Sequence, residues 1–306
     1  MQTRKIVKSG AASYTISLPK DWIVRNKLDK GDMVYINEES GDLSVSVGEK
    51  QFKKVDKEIS ISVDNKELPI IAREITSAYI NNYNTINIIG KDLVSNVKEV
   101  RKILHDFVAL EIAEQTQTKI VAKDLLNLNE ISIDSTLRRM DMIVRSMIQD
   151  INAGGENIYE SIYFRDFDIN RLYFLVFRLL KSALGNVDVA KSLGVGNQEI
   201  LKKWYLAVNL ENIADNLKNI AKNESSSEEI NRVLKLLEQE FLNSMKAYHK
   251  DNVSVAMDIT KNRNNLIGEF DNLLEKDKDL KTIKILHEFR DLENSICNVA
   301  RLVLDS

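Results

Sequence analysis

The chain has 306 residues, 43% hydrophobic and 29% charged, with a formal net charge of −3 at pH 7. That is enough apolar material for a substantial core, divided by length into about two or three domains, and the mild charge points to no partner for the whole chain. The lone Cys297 excludes an intrachain disulfide and fits a reducing cytosol. With only 2 Pro and 11 Gly, long regular elements are expected. The N-terminal MQTRKIVKSGAASY lacks the apolar core of a signal peptide. The most apolar run, Tyr173 to Phe177, is stopped by Arg178, far short of a bilayer span. The expectation is a cytoplasmic protein with no membrane insertion.

Residues 1–50 do not follow helical spacing. Tyr14, Ile16 and Leu18 alternate with Thr15 and Ser17, and Leu43, Val45 and Val47 with Ser44 and Ser46, which is the period of a half-buried strand. Pro19 can take the first position of a short helix running to about Lys27, where its missing N–H is not needed. The order strand, strand, short helix, strand, strand results. So short a unit makes a thin core and needs a partner.

Residues 51–130 alternate. Lys57 to Val63 reads as a strand, Glu67 to Ile80 as an amphipathic helix, Tyr83 to Ile89 as a strand and Asp92 to Phe107 as a helix. Val108 to Glu114 and Thr118 to Asp124 read as a final strand pair. This is the pattern of a small α/β sandwich, and no site chemistry is visible in it. Residues 131–306 are helical throughout, with breaks near 153–155, 193–197, 223–229, 250–252 and 276–279. Six long helices with short connections imply antiparallel neighbours, arranged as two tandem three-helix bundles at about 131–222 and 226–306. The fold class is thus multidomain and mainly α. Met140, Met142, Met147, Tyr173, Phe174 and Phe177 read as core.

Within the first thirty residues, Arg4, Lys5, Lys8, Lys20, Arg25, Lys27 and Lys30 are opposed only by Asp21 and Asp29. Charge alone leaves two readings open: phosphate contacts with nucleic acid, or a solvated strand face. The stretch TRKIVKSGAASYTISLPKDWIVRNKLDKGDMVYI carries more. Its basic first strand, small-residue turn, ISLPKDW and LDKGD resemble the AbrB/MazE/SpoVT swapped-hairpin DNA-binding domain. That resemblance covers about residues 3–48. It implies two chains interleaving their hairpins into one dimer, with Arg4, Lys5, Lys8, Lys20 and Arg25 placed on double-stranded DNA.

LENIADNLKNIA, Leu210 to Ala221, sets Glu211, Asp215 and Asn219 four residues apart, beside an apolar seam of Leu210, Ala214, Leu217 and Ala221. It resembles the helix signature of PhoU phosphate-signalling proteins, in which Glu-x-x-x-Asp faces a second acidic pair. RDFDINRLYFLVFRLL, Arg165 to Leu180, is similar to the facing helix, with Asp166 in the first acidic place and Asn170 in the second. The resemblance covers roughly residues 131–304. It implies an iron or zinc site in the first bundle built from Asp166, Asn170, Glu211, Asp215 and Asn219, whereas the spacing by itself also fits a polar flank of water-exposed carboxylates. In the second bundle Glu293 remains, Cys297 stands where an Asp is expected, and Lys261 and Asn265 stand where acids are expected.

His105, His249 and His287 are scattered, and none follows a Glu by three residues as diiron bundle sites require. No Walker-type loop or nucleophile elbow occurs. No enzyme is expected. The order of the three regions resembles archaeal PhoU-like regulators. It implies a dimeric or higher-order transcriptional regulator of phosphate uptake and homeostasis, with a transporter component or signalling protein as a further partner. Two rivals stand beside it: a PhoU-type adaptor acting on a transporter by contact, without DNA, and a metal-binding helical bundle protein.

Overall fold

A computed structural model describes residues 3–39, 42–47, 57–127, 130–223, 227–276 and 279–305. The chain divides into two compact units, Met1–Val55 and Asp56–Ser306. The boundaries expected at 50/51 and 226, and the centre of the break at 276–279, lie outside the described residues.

In the first unit, β1 (Val7–Lys8) pairs antiparallel with β2 (Tyr14–Thr15), Val7 opposite Thr15. The turn between them is closed by the Ser9 N–H donating to the Ser13 carbonyl at 2.8 Å. It needs Gly10, whose φ of 91° lies in the left-handed region. Pro19 stands one place earlier than expected: it caps α1 (Lys20–Arg25) with an extended ψ of 130°. β3 (Val34–Glu39) and β4 (Asp42–Val47) pair antiparallel, Val34 opposite Val47. Among the described residues of this unit no side chain is buried. Ile6, Tyr14, Ile16, Met33, Ile36 and Leu43 are all largely exposed.

The second unit opens with β5 (Glu58–Ser62), α2 (Leu68–Ile80), β6 (Thr85–Ile89), α3 (Leu93–His105), β7 (Leu110–Gln115) and β8 (Lys119–Asp124). β5 and β6 are parallel, as a helical crossover requires, and β8 inserts antiparallel between β6 and β7, giving the order β5-β6-β8-β7. Alternation places Ile61, Ile86, Ile88, Ile120 and Ala122 on the face covered by α2 and α3. There they form one core with Ile71, Ile75, Tyr79, Val100 and Leu104.

Six long helices follow, α4 (Ile133–Ala153), α5 (Ile158–Gly185), α7 (Asn197–Asn223), α8 (Glu228–Lys250), α9 (Val253–Lys276) and α10 (Leu280–Leu304), with a short α6 (Val187–Ser192) that the periodicity did not reveal. Ser132 caps α4 by accepting from the Ser135 N–H, and Gly154 ends it at φ 68°. Asp279 caps α10 through the N–H groups of Lys281 and Thr282. The two halves do not keep separate cores. Leu137, Leu210, Leu217, Leu237, Phe241, Phe289 and Leu292 belong to one continuous cluster, and α7 packs extensively against both α5 and α10. The reason lies in α7, which buries Ile213 and Ile220 as well as the expected seam, a wider apolar arc than one three-helix bundle can cover. Met140 and Met147 are core, but Met142 is exposed. Among the described residues, no helix is long and apolar enough to cross a membrane.

The sheet layer docks on α5 through a buried ion pair. Arg178 donates to both carboxylate oxygens of Asp124, Nη2 to Oδ2 at 2.6 Å and Nη1 to Oδ1 at 3.2 Å, and its Nε donates to the Asn82 Oδ1 at 2.9 Å. The guanidinium also lies over the Tyr79 ring, 4.5 Å from its centroid. Phe174 packs against Phe107 of the sheet layer, 5.6 Å between centroids. Removing one partner of such a pair strands a buried charge. Arg178→Met is therefore expected to lower unfolding free energy by about 3–5 kcal/mol, and pairing it with Asp124→Leu should recover part of that. Urea denaturation of the wild type and these two variants checks this.

Candidate functional site

The packing of α5 on α7 gathers the acids that the sequence singled out. Asp166 is buried on α5, with Asn170 one turn further along and donating to its Oδ2 at 3.4 Å. Glu211 and Asp215 come from α7. Lys218, one turn beyond Asp215, reaches into the group: its Nζ donates to Asp166 Oδ2 at 2.7 Å and to Asp215 Oδ1 at 2.5 Å. Asn219 turns away from the group and donates to Glu288 Oε2 of α10 at 3.3 Å. Four of the five predicted residues thus lie together, and Asn219 serves a different contact.

The electrostatics follow from burial and crowding. Glu211 is pushed up to about 7, first by burial and then by the charges of Asp215 and Asp166, with Lys218 opposing. Burial also raises Asp166, against the bond from Lys218. Burial alone would lower Lys218, but its bonds to Asp166 and Asp215 outweigh that and raise it.

Carboxylate oxygens are suitable ligands for a hard cation. As arranged, however, the ammonium of Lys218 takes one oxygen from each of two acids, and Asp166 Oδ1 stays buried with no partner. Among the described residues no three His, Cys, Asp or Glu side chains are placed to hold a metal ion. In this arrangement the cation between Asp166 and Asp215 is the chain's own Lys218.

The second half has a counterpart with the same logic and a different register. Glu293 of α10 is fully buried and accepts from Arg263 Nε of α9 at 3.0 Å. Lys261 and Asn265, expected at this position, are both exposed, and Arg263 takes the place between them. Glu240 of α8 is pushed up to about 7 by burial and then by the charge of Glu293. Cys297 is buried beside them as a filler, and burial raises its thiol. Sequence reasoning missed Lys218, Arg263 and Glu288. The first was legible as a cation three residues after Asp215 on the same helix.

In the first unit, Arg4, Lys5, Lys8, Lys20 and Arg25 are all exposed. Arg25 donates through Nε to the main-chain oxygen of Asp21 at 3.2 Å. Among the described residues, Lys5, Lys8, Lys20 and Arg25 form no ion pair. In the second unit, by contrast, Lys66, Arg145, Arg165, Arg178, Lys218 and Arg263 are each paired with a carboxylate.

Comparison of the chain with protein-family models, with curated proteins and with solved structures finds no match.

Glu211 makes stability depend on pH with a definite sign. Its carboxyl titrates at about 7 when folded, against an ordinary value of 4.5. Between these values the folded chain holds a proton that the unfolded chain has lost, so this contribution is complete below 4.5 and is lost as pH rises through 7. Glu211→Gln should flatten the fall in melting temperature over that window and raise the melting temperature at pH 8, with little effect at pH 4. Thermal melts across pH check it. Lys218→Met should act oppositely, costing about 1–3 kcal/mol at pH 8 and less at pH 5, where Glu211 is protonated.

Proposed function

We propose that the chain is a dimeric DNA-binding regulator of phosphate uptake genes, whose helical region receives the signal. The observation that carries this reading is the state of the first unit. Tyr14, Ile16, Leu43 and Val47 of its alternating strands are exposed and none of its described side chains is buried, while Lys5, Lys8, Lys20 and Arg25 form no ion pair among the described residues. A second copy completing the apolar faces would leave those cations for phosphates. The sequence likeness to swapped-hairpin domains and to PhoU helices supplies the target, double-stranded DNA, and the phosphate connection.

The adaptor reading keeps one observation in its favour. Tyr159, Tyr163 and Phe164 are exposed together at the start of α5, with Tyr163 packed edge-on to Phe164 at 5.9 Å, a surface suited to a protein contact.

With five basic residues in each copy, roughly 6–8 phosphate contacts are geometrically reasonable for a dimer, and counterion release then gives a log–log salt slope of about −5 to −7. Lys8→Ala, which removes two contacts per dimer, should flatten the slope by roughly 1–2. Arg4→Ala or Arg25→Ala should relax sequence preference instead if either side chain reads base edges. Fluorescence anisotropy on a promoter fragment of a phosphate-transport operon, at several salt concentrations, tests this. No binding by the full chain at low salt would transfer the conclusion to the adaptor.

A further inference from the structure

The two edges of the four-stranded sheet are built differently. β7 breaks its ladder with a bulge between Ile112 and Glu114 and carries Glu111 and Glu114 along an exposed strand, the usual devices against edge-to-edge pairing. β5 has neither. Its sequence EISIS is regular, β-branched at alternate places and charged only at Glu58. The Val63 N–H donates to the Ile89 carbonyl at 2.9 Å, and the Lys57 carbonyl accepts from Thr85, so the odd-numbered residues face β6. The main-chain groups of Glu58, Ser60 and Ser62 therefore point out of the sheet. Beside them lies an open groove of about 310 Å³ between β5 and α2, walled by small or neutral Ser77, Ala78 and Asn81. Its charged wall is already satisfied, because Lys66 Nζ lies 2.7 Å from both carboxylate oxygens of Glu74.

We propose that this groove takes the β5 strand of a second copy of the chain, joining two four-stranded sheets into one of eight. The inference rests on the dimeric reading above. Ten residues separate Val47 of β4 from Glu58 of β5, a chain that spans at most about 36 Å, so a dimer held through the first unit tethers its two β5 strands at high effective concentration. Antiparallel pairing of a five-residue strand with itself has one natural centre, Ser60 opposite Ser60. This register exchanges both main-chain bonds there and sets Glu58 opposite Ser62, so that the two Glu58 carboxylates do not face each other. A peptide from another protein would find the same edge, but without the tether.

The test uses the full chain, in which native Cys297 is buried and unable to interfere. In a central hydrogen-bonded pair the Cα atoms are about 5.5 Å apart, within disulfide reach. Ser60→Cys should therefore form an interchain disulfide on mild oxidation, and Glu111→Cys on the other edge should not. Independently, the Ser60 and Ser62 amides of the wild-type dimer, which point away from β6 and have no main-chain partner among the described residues, should exchange with solvent roughly 100-fold or more slowly than free amides. A wild-type chain that sediments as a monomer overturns the dimeric reading itself. A dimer in which Ser60→Cys fails to cross-link, or in which these amides exchange freely, overturns the β5 pairing and leaves the dimeric reading intact.

Discussion

The placement of the sheet on the helices depends on one ion pair. The α/β layer and the helical region have separate apolar cores, and apolar contact between layers is tolerant of sliding. Arg178 and Asp124 are not tolerant. Both are almost completely buried, and the guanidinium is matched by two carboxylate oxygens, the Asn82 amide oxygen and the face of Tyr79. Such a pair adds little net stability over an apolar substitute, because both charges must be desolvated. Its effect is to make every other docking position unfavourable, since a shift of one turn would leave both charges buried and unpaired. Phe174 and Phe107 then pack in the register that the ion pair defines.

The helical region meets the same problem of buried charge twice more and answers it with basic side chains from its own helices. Asp166 and Glu293 are buried acids, and Lys218 and Arg263 neutralise them from a helix packed alongside. Neither answer is complete. One oxygen of Asp166, one of Glu293 and one of Glu240 remain buried without a partner. Burial without full compensation is what raises Glu211 and Glu240 to about 7. Among the described residues Glu211 and Glu240 are thus carboxyls pushed up to about 7, one on each side of the continuous core.

The α/β layer was legible almost residue by residue, because periods of two and of 3.6 alternate there and every element is bounded by turn residues. The N-terminal element order was legible for the same reason. Interior partners were harder to read. Met142 was read as core with Met140 and Met147 by residue type, yet two residues along a helix place it roughly 200° around the axis from Met140, and it is exposed. Arg178 read only as the end of an apolar run, because its partners lie 54 and 96 residues away. Acid spacing located the cluster around Asp215 but not its cation. Lys218 sat in the same quoted stretch, and whether a lysine stem reaches inward or out to solvent is decided by the neighbouring helix. The shared core was invisible for a related reason: the width of an apolar arc shows that a helix is central without naming what covers it.

The distribution of charge carries the functional argument a step further. In the second unit, basic residues near buried acids are held in ion pairs, and those pairs position helices and the sheet. In the first unit, Lys5, Lys8, Lys20 and Arg25 have no such task among the described residues, and the apolar residues beside them have no core to join. A segment selected only to fold by itself would show neither property, since uncovered apolar surface and uncompensated like charge both oppose the compact state. The two features are consistent together when each answers a different partner: apolar faces for a second copy, and cations for a polyanion. A duplex with one negative charge about every 1.7 Å of its axis is such a polyanion, and a two-fold arrangement of the unit would meet it with each basic residue represented twice.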